Sequence, residues 1–270
     1  MTRKLYVTIL TIVTIICIII GSVVNIGNLF DRLYRGIQGL TEAGSDTDSS
    51  SGTYTLNYVE GTDYTDFTSL DIDVDVMDIT IQPGEAYSVQ YTGNQKKMDP
   101  VISMSGDTLV VTQTIKKQRW GSTNNVKCRL VITVPEDVSL ENLTIQADVG
   151  DIDINDLTVT DFDVSADVGD VDMDHVSMDQ GKLGLDVGDL DMDNCSFTDF
   201  SVSCDVGDVK ITADSDLSKY AVELSCDMGS VTVNDQDQKR SFTQRGEDGS
   251  LTVTNSVGDI RVKMTEDRKE

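Results

Sequence analysis

Eleven aspartates stand in three columns at a constant spacing of 19 residues: Asp148, Asp167, Asp186 and Asp205; Asp151, Asp170, Asp189 and Asp208; and Asp153, Asp172 and Asp191. Residues 148 to 208 hold 18 Asp, no Glu, no Arg and one Lys, Lys182. If the columns stack, neighbouring carboxylates about 5 Å apart repel by roughly 0.8 kcal/mol per pair in water, and more beside a low-dielectric wall. Divalent cations are one chemistry that offsets this, since Ca²⁺ accepts several oxygen ligands from carboxylates and backbone carbonyls. The first two columns are therefore candidate cation sites, and Ca²⁺ is the one cofactor they suggest. The competing reading is a solvated acidic face whose corner aspartates hydrogen-bond local backbone N–H groups. The repeat differs from the glycine-rich nonapeptide of Ca²⁺-binding β-rolls, so no residue is assigned firmly as a metal ligand.

Other reactive side chains are sparse. The chain has one histidine, His175, which reads as a solvated turn residue. No Ser/His/Asp arrangement, P-loop or metal-histidine spacing occurs, and no carboxylate pair is singled out for acid–base work. The reading is non-enzymatic. Cys128, Cys195, Cys204 and Cys226 contain no C-x₂-C pair, which argues against zinc. Cys204 and Cys226 share a repeat position and should be neighbours in an inward column. Stacked strands hold Cβ atoms nearer 4.8 Å than the ~3.8 Å a disulfide prefers, so buried free thiols are expected. Lys116, Lys117, Arg119 and Trp120 make the one basic-aromatic cluster. It reads either as a turn covering the repeat or as a contact to an anionic envelope polymer or protein partner.

The elements that position these residues follow from the repeat. Gly150, Gly169, Gly188 and Gly207 recur every 19 residues, and Gly229 and Gly258 follow after insertions of 3 and 10. Apolar columns keep the same step: Ile145, Val164, Leu183, Val202; Ala147, Ala166, Leu185, Cys204; Ile152, Val171, Leu190, Val209. LDIDVDVMDITI, residues 70 to 81, aligns without a gap on LTIQADVGDIDI, residues 143 to 154, with Met77 in the glycine slot. A 19-residue unit of short strands cannot bury its apolar face alone, and stacking it on its neighbours makes a continuous core. The fold expected is all-β: a single-stranded parallel β-solenoid of about 19-residue coils over residues 54 to 264, with an irregular excursion near 94 to 128. A Greek-key sandwich is the runner-up. The alternation 145, 147, 149 jumps to 152 and 154 at Gly-Asp, so Gly-Asp is a corner, where glycine takes φ > 0 without steric cost. Met77 cannot, so its coil should turn differently.

The copies DVGDIDI, DVGDVDM, DVGDLDM, DVGDVKI, DMGSVTV and SVGDIRV, with the entry VITVPEDVSLENLTI at residues 131 to 145, resemble the DUF4097 family of bacterial proteins, also labelled as adhesins on provisional grounds. The resemblance covers roughly residues 68 to 264. It implies the repeat fold, a membrane-anchored layout and no established catalytic site. The heavy Asp loading and the cysteines depart from it.

Ahead of the repeat, LYVTILTIVTIICIIIGSVV, residues 5 to 24, carries no charge. Twenty residues at ~1.5 Å each span about 30 Å, a bilayer core. No A-x-A site marks a cleaved signal peptide. The segment thus reads as a transmembrane helix over residues 5 to 25, after a cytoplasmic stretch 1 to 4. Arg3 and Lys4 precede it, which weakly favours N-terminus in and the remainder outside. Ile26, Leu29, Phe30, Leu33, Ile37 and Leu40 form a helical stripe. It is either the anchor helix continuing or a short extension without a role. A small polar linker runs to residue 53, and 265 to 270 form a tail. The net charge of -26 repels nucleic acid and anionic membrane surfaces. These features suggest a surface binding or adhesion scaffold on one span. The alternative is an accessory or sensory protein of envelope-stress regulation working through membrane partners.

Overall fold

Branched and small polar residues alternate through the repeat and form strands, since β-branched side chains pack well on a pleated surface. The computed structural model describes residues 53–57, 66–115, 126–214 and 216–263. Thr53–Thr114 and Cys128–Glu270 form the compact unit that carries the fold. The proposed span, the helical stripe, the linker to residue 52, and Lys116, Lys117, Arg119 and Trp120 all lie outside the described residues. Among those described, no helix is long and apolar enough to cross a membrane.

The unit is a curled, mostly parallel sheet with a solenoid-like repeat. Through Ser139–Val149, Thr158–Val168, Ser177–Val187 and Leu190–Val206, each coil lies on the next in parallel at an offset of 19. Val164 faces Ile145 and Leu183, and Met173 faces Ile154 and Met192. A Greek-key sandwich is built from antiparallel strands and does not give this ladder. Inward columns are buried: Ile145, Ile152, Ile154, Leu157, Val159 and Phe162, with their 19-residue equivalents in the neighbouring coils except Gly181, which is half-buried. Each fully buried aliphatic or aromatic side chain contributes about 1.5–3 kcal/mol. Val149, Val168, Val187 and Val206 are only half-buried, because they flank the corner.

Each coil has three corners. The first is Gly-Asp. The second uses non-glycine residues with positive φ: Asp156 at 48°, His175 at 53° and Asn194 at 54°. Asp, His and Asn tolerate this region better than other side chains. At the third, two successive residues face out, as at Thr160–Asp161 and Thr198–Asp199.

Both ends of the stack break chain order. Residues 70 to 81 pair in register with 143 to 154, Leu70 opposite Leu143 and Ile81 opposite Ile154. Met77 does turn its coil differently. Its φ is not positive, its side chain is buried, and its N–H donates to the Val149 carbonyl at 2.9 Å. On the far side of this coil lie Thr108–Gln113 and Cys128–Pro135. The excursion near 94 to 128 thus contributes part of an outer coil. At the other end, Ser250–Val257 lies between residues 199–206 and Ala221–Met228, and Ile260–Lys263 lies between Val209–Ala213 and Val231–Val233. The last coil in sequence is therefore the second from the end in space.

This corrects the placement of the cysteines. Cys204 pairs with Asn255 and Asn255 with Cys226, so the two thiols are two coils apart, not neighbours. The buried Asn255 amide fills the slot between them and donates to the Gly207 carbonyl at 2.7 Å. Cys128, Cys195, Cys204 and Cys226 are free and buried. Antiparallel strands close both ends: Ser88–Gly93, Val101–Ser105 and Tyr54–Asn57 at one, Gln236–Asp237 and Ser241–Gln244 at the other. Closing strands protect a parallel stack from edge-to-edge association.

Candidate functional site

The Gly-Asp corner explains its own sequence. Gly150, Gly169, Gly188, Gly207, Gly229 and Gly258 have φ between +136° and +154°. A Cβ on Gly169 would fall inside the Gly150 carbonyl oxygen, and one on Gly188 inside that of Gly169. Glycine is required twice over, by its dihedral and by the close approach of the next coil.

The aspartate that follows every corner glycine but Gly229, which is followed by Ser230, is used by the fold. Its Oδ1 accepts the backbone N–H of the equivalent residue one coil on. Asp151 accepts from Asp170 at 3.0 Å, Asp170 from Asp189 at 2.9 Å, Asp189 from Asp208 at 2.7 Å, Asp208 from Asp259 at 2.8 Å, and Asp259 from Ser230 at 2.9 Å. The short Asp side chain suits this reach, and the ladder satisfies an amide at each corner of the glycine row. Asp148, Asp167, Asp186 and Asp205 are exposed on the strand before the corner. Burial and the flanking Asp167 and Asp205 push the Asp186 carboxyl above its ordinary pKa. Among the described residues, no group of three or more His, Cys, Asp or Glu side chains is arranged to hold a metal ion.

The third column changes sign along the stack. It runs Thr80, Asp153, Asp172, Asp191, Lys210, Arg261 and Thr232. Desolvation, then Asp153 and Asp191, raise the pKa of Asp172. Lys210 Nζ lies 2.7 Å from Asp191 and 3.1 Å from Asp193, and the Asp191 contact chiefly raises its pKa. Arg261 bridges Asp208 at 3.1 Å and Asp259 at 2.7 Å. The Ser230 backbone N–H and hydroxyl hold Asp259 below the usual carboxylate range. His175 sits in its turn with Nδ1 2.9 Å from Asp174, both exposed.

A trough of about 440 Å³ crosses five coils on the outer face at the third corner. One wall is the corner row from Asn142 through Asp161, Gln180 and Asp199 to Ser250. The other is the strand row from Thr144 through Asp163 and Lys182 to Thr252. Between the walls the trough is lined by Phe162, Gly181 and Phe200. Gly181 stands in register between the two phenylalanines, and a Cβ there would meet Met178 and the Phe200 ring. The sequence reading missed this trough. The signal was present as a third jump of three in the apolar alternation, from Val159 to Phe162, which marks a corner.

No curated protein matches the chain. Among solved structures, a protein provisionally named for cell adhesion from Clostridium sporogenes ATCC 15579 matches at 15% identity and TM-score 0.54, covering 79% of this chain and 100% of its own. One provisionally named an adhesin from Bacteroides fragilis NCTC 9343 matches at 17% identity and TM-score 0.46, covering 79% and 98%. One provisionally named a lipid-binding protein from Parabacteroides distasonis ATCC 8503 matches at 12% identity and TM-score 0.33, covering 79% and 97%. The first of these is a likeness of fold. The Toastrack DUF4097 family model matches residues 67–270, three quarters of the chain, and the chain belongs to that family.

Proposed function

We propose that the chain is a non-enzymatic, membrane-anchored scaffold that binds at the bacterial surface, with its repeat domain outside the membrane. The observation that carries this reading is the division of labour across each strand. Inward columns are apolar at nearly every position, and outward columns present polar side chains in register along the stacked coils. Such a face makes many equivalent contacts at once. The uncharged segment 5 to 24 supports the anchor, and the adhesion names given to similar folds support the role.

The test is adherence of cells carrying the full chain, compared with cells carrying a chain that lacks residues 53–263. Adherence that survives the deletion contradicts the scaffold. Exchange of residues 5–40 for an unrelated anchor separates the regulatory alternative: a scaffold keeps its adherence, and a protein that signals through its span loses its effect.

A further inference from the structure

We propose that the trough at the third corner binds an uncharged linear glycan, with about one sugar ring per coil. The proposal rests on the scaffold reading and names its ligand class. The trough runs along the stack, so its walls repeat at the strand spacing of ~4.8 Å and extend roughly 19 Å over five coils. Each ring of an extended pyranose chain advances by about the rise of one coil, and so meets an equivalent pair of wall positions. Those positions offer carboxylate, carboxamide and hydroxyl groups and one ammonium, a mixture that donates to and accepts from neighbouring hydroxyls. Among the described residues, the side chains of Asp161, Asp163, Gln180 and Lys182 form no hydrogen bond or ion pair with the protein, although Lys182 stands in register with Asp163.

Two other ligand classes fit less well. An extended peptide docks by strand addition or by side-chain pockets. Here the trough strands are paired on both sides, and the rings of Phe162 and Phe200 are buried. A polyanion meets three wall carboxylates against one ammonium, on a chain of net charge -26.

The test titrates the full chain in nanodiscs by calorimetry with cellohexaose, chitohexaose, polygalacturonate and a lysine-rich peptide. At least one neutral hexasaccharide should bind in the millimolar range or tighter, and polygalacturonate should not. The double variant Asp163→Ala with Gln180→Ala should weaken binding about tenfold. Lys182→Glu should weaken it as well, and Asp148→Ala, on a different row, should leave it unchanged. These positions are on the surface, so every variant should still melt cooperatively, within a few degrees of the native chain. The proposal is overturned if neither hexasaccharide binds, if both trough variants bind like the native chain, or if the lysine-rich peptide alone binds. The two readings fail separately. Native adherence by the double variant removes the trough but leaves the scaffold, and native adherence without residues 53–263 removes the scaffold.

Discussion

From Leu143 to Val206 the stack follows the chain, and its outer face carries columns of aspartate with a single lysine, Lys182. From Gly207 onward it abandons chain order, and basic residues enter the outer face and pair with aspartates. In the middle, Asp153, Asp172 and Asp191 stand together, three carboxylates in successive coils of one column. The next two coils of the same column hold Lys210 and Arg261, each bridging two aspartates. Both regions share the inward apolar columns and the corner ladder. Those shared features hold the fold, and the outer face is free to vary. Ile260–Lys263 is paired on both sides, so the last strand is locked between its neighbours.

The largest effect should come from the shared corner. Gly169→Ala places a side chain at φ +148°, against the Gly150 carbonyl, and should destabilise the chain by about 3–5 kcal/mol in urea unfolding. Gly184→Ala is the control. Its nearest neighbour is the Ser165 hydroxyl at 3.9 Å, so its midpoint should move little.

The charge contrast is smaller. Lys210→Asp extends the acidic column to four and removes two half-exposed ion pairs. It should cost about 1 kcal/mol or less at low salt, shrinking as salt is added. Asp172→Asn should stabilise by a few tenths of a kcal/mol and shrink in the same way.

The raised carboxyls Asp172 and Asp186 and the lowered Asp259 should answer pH oppositely. The pKa values of Asp172 and Asp186 are raised on folding, so their contribution to stability is full below the unfolded value of roughly 3.9 and is lost as pH rises through the folded values. The Asp259 pKa is lowered, so its contribution is present above the unfolded value and lost as pH falls through the folded one. Hydrogen-exchange protection at Val171 and Leu190 should therefore rise on mild acidification, and that at Val231 should fall below about pH 4. Parallel behaviour of the two sets would break the comparison.

Burial pushes the Cys195 and Cys204 thiols up to about 12. They should resist thiol reagents in the native chain and react on unfolding. Their contribution to stability is complete below the unfolded pKa, near 8.5, and is lost as pH rises towards 12.

Much of the middle was legible because the 19-residue step is covalent: an in-register stack needs equal chain length per turn. The Gly-Asp corner was readable from its jump of three. Two further jumps, from Ile154 to Leu157 and from Val159 to Phe162, mark the other corners, but they lack a glycine to announce them. The coil order was not legible. Val202, Val253 and Leu224 present the same apolar pattern, and nothing in a local sequence says which coil lies against which. That choice is made by closing strands such as Ser241–Gln244, which occupy the outer edge of Ala221–Met228 and leave its inner edge to Ser250–Val257.

Ser250–Lys263 lies between two coils that precede it in the chain, and thiol crosslinking reads that order out in solution. Ser203, Thr254 and Ser225 stand side by side on three adjacent strands. Cysteine pairs at these positions, treated in the native chain with dibromobimane, whose reach is about one strand spacing, can be mapped by mass spectrometry. The account predicts bridges for Ser203→Cys with Thr254→Cys and for Thr254→Cys with Ser225→Cys, and none for Ser203→Cys with Ser225→Cys. Efficient bridging of positions 203 and 225 would contradict it.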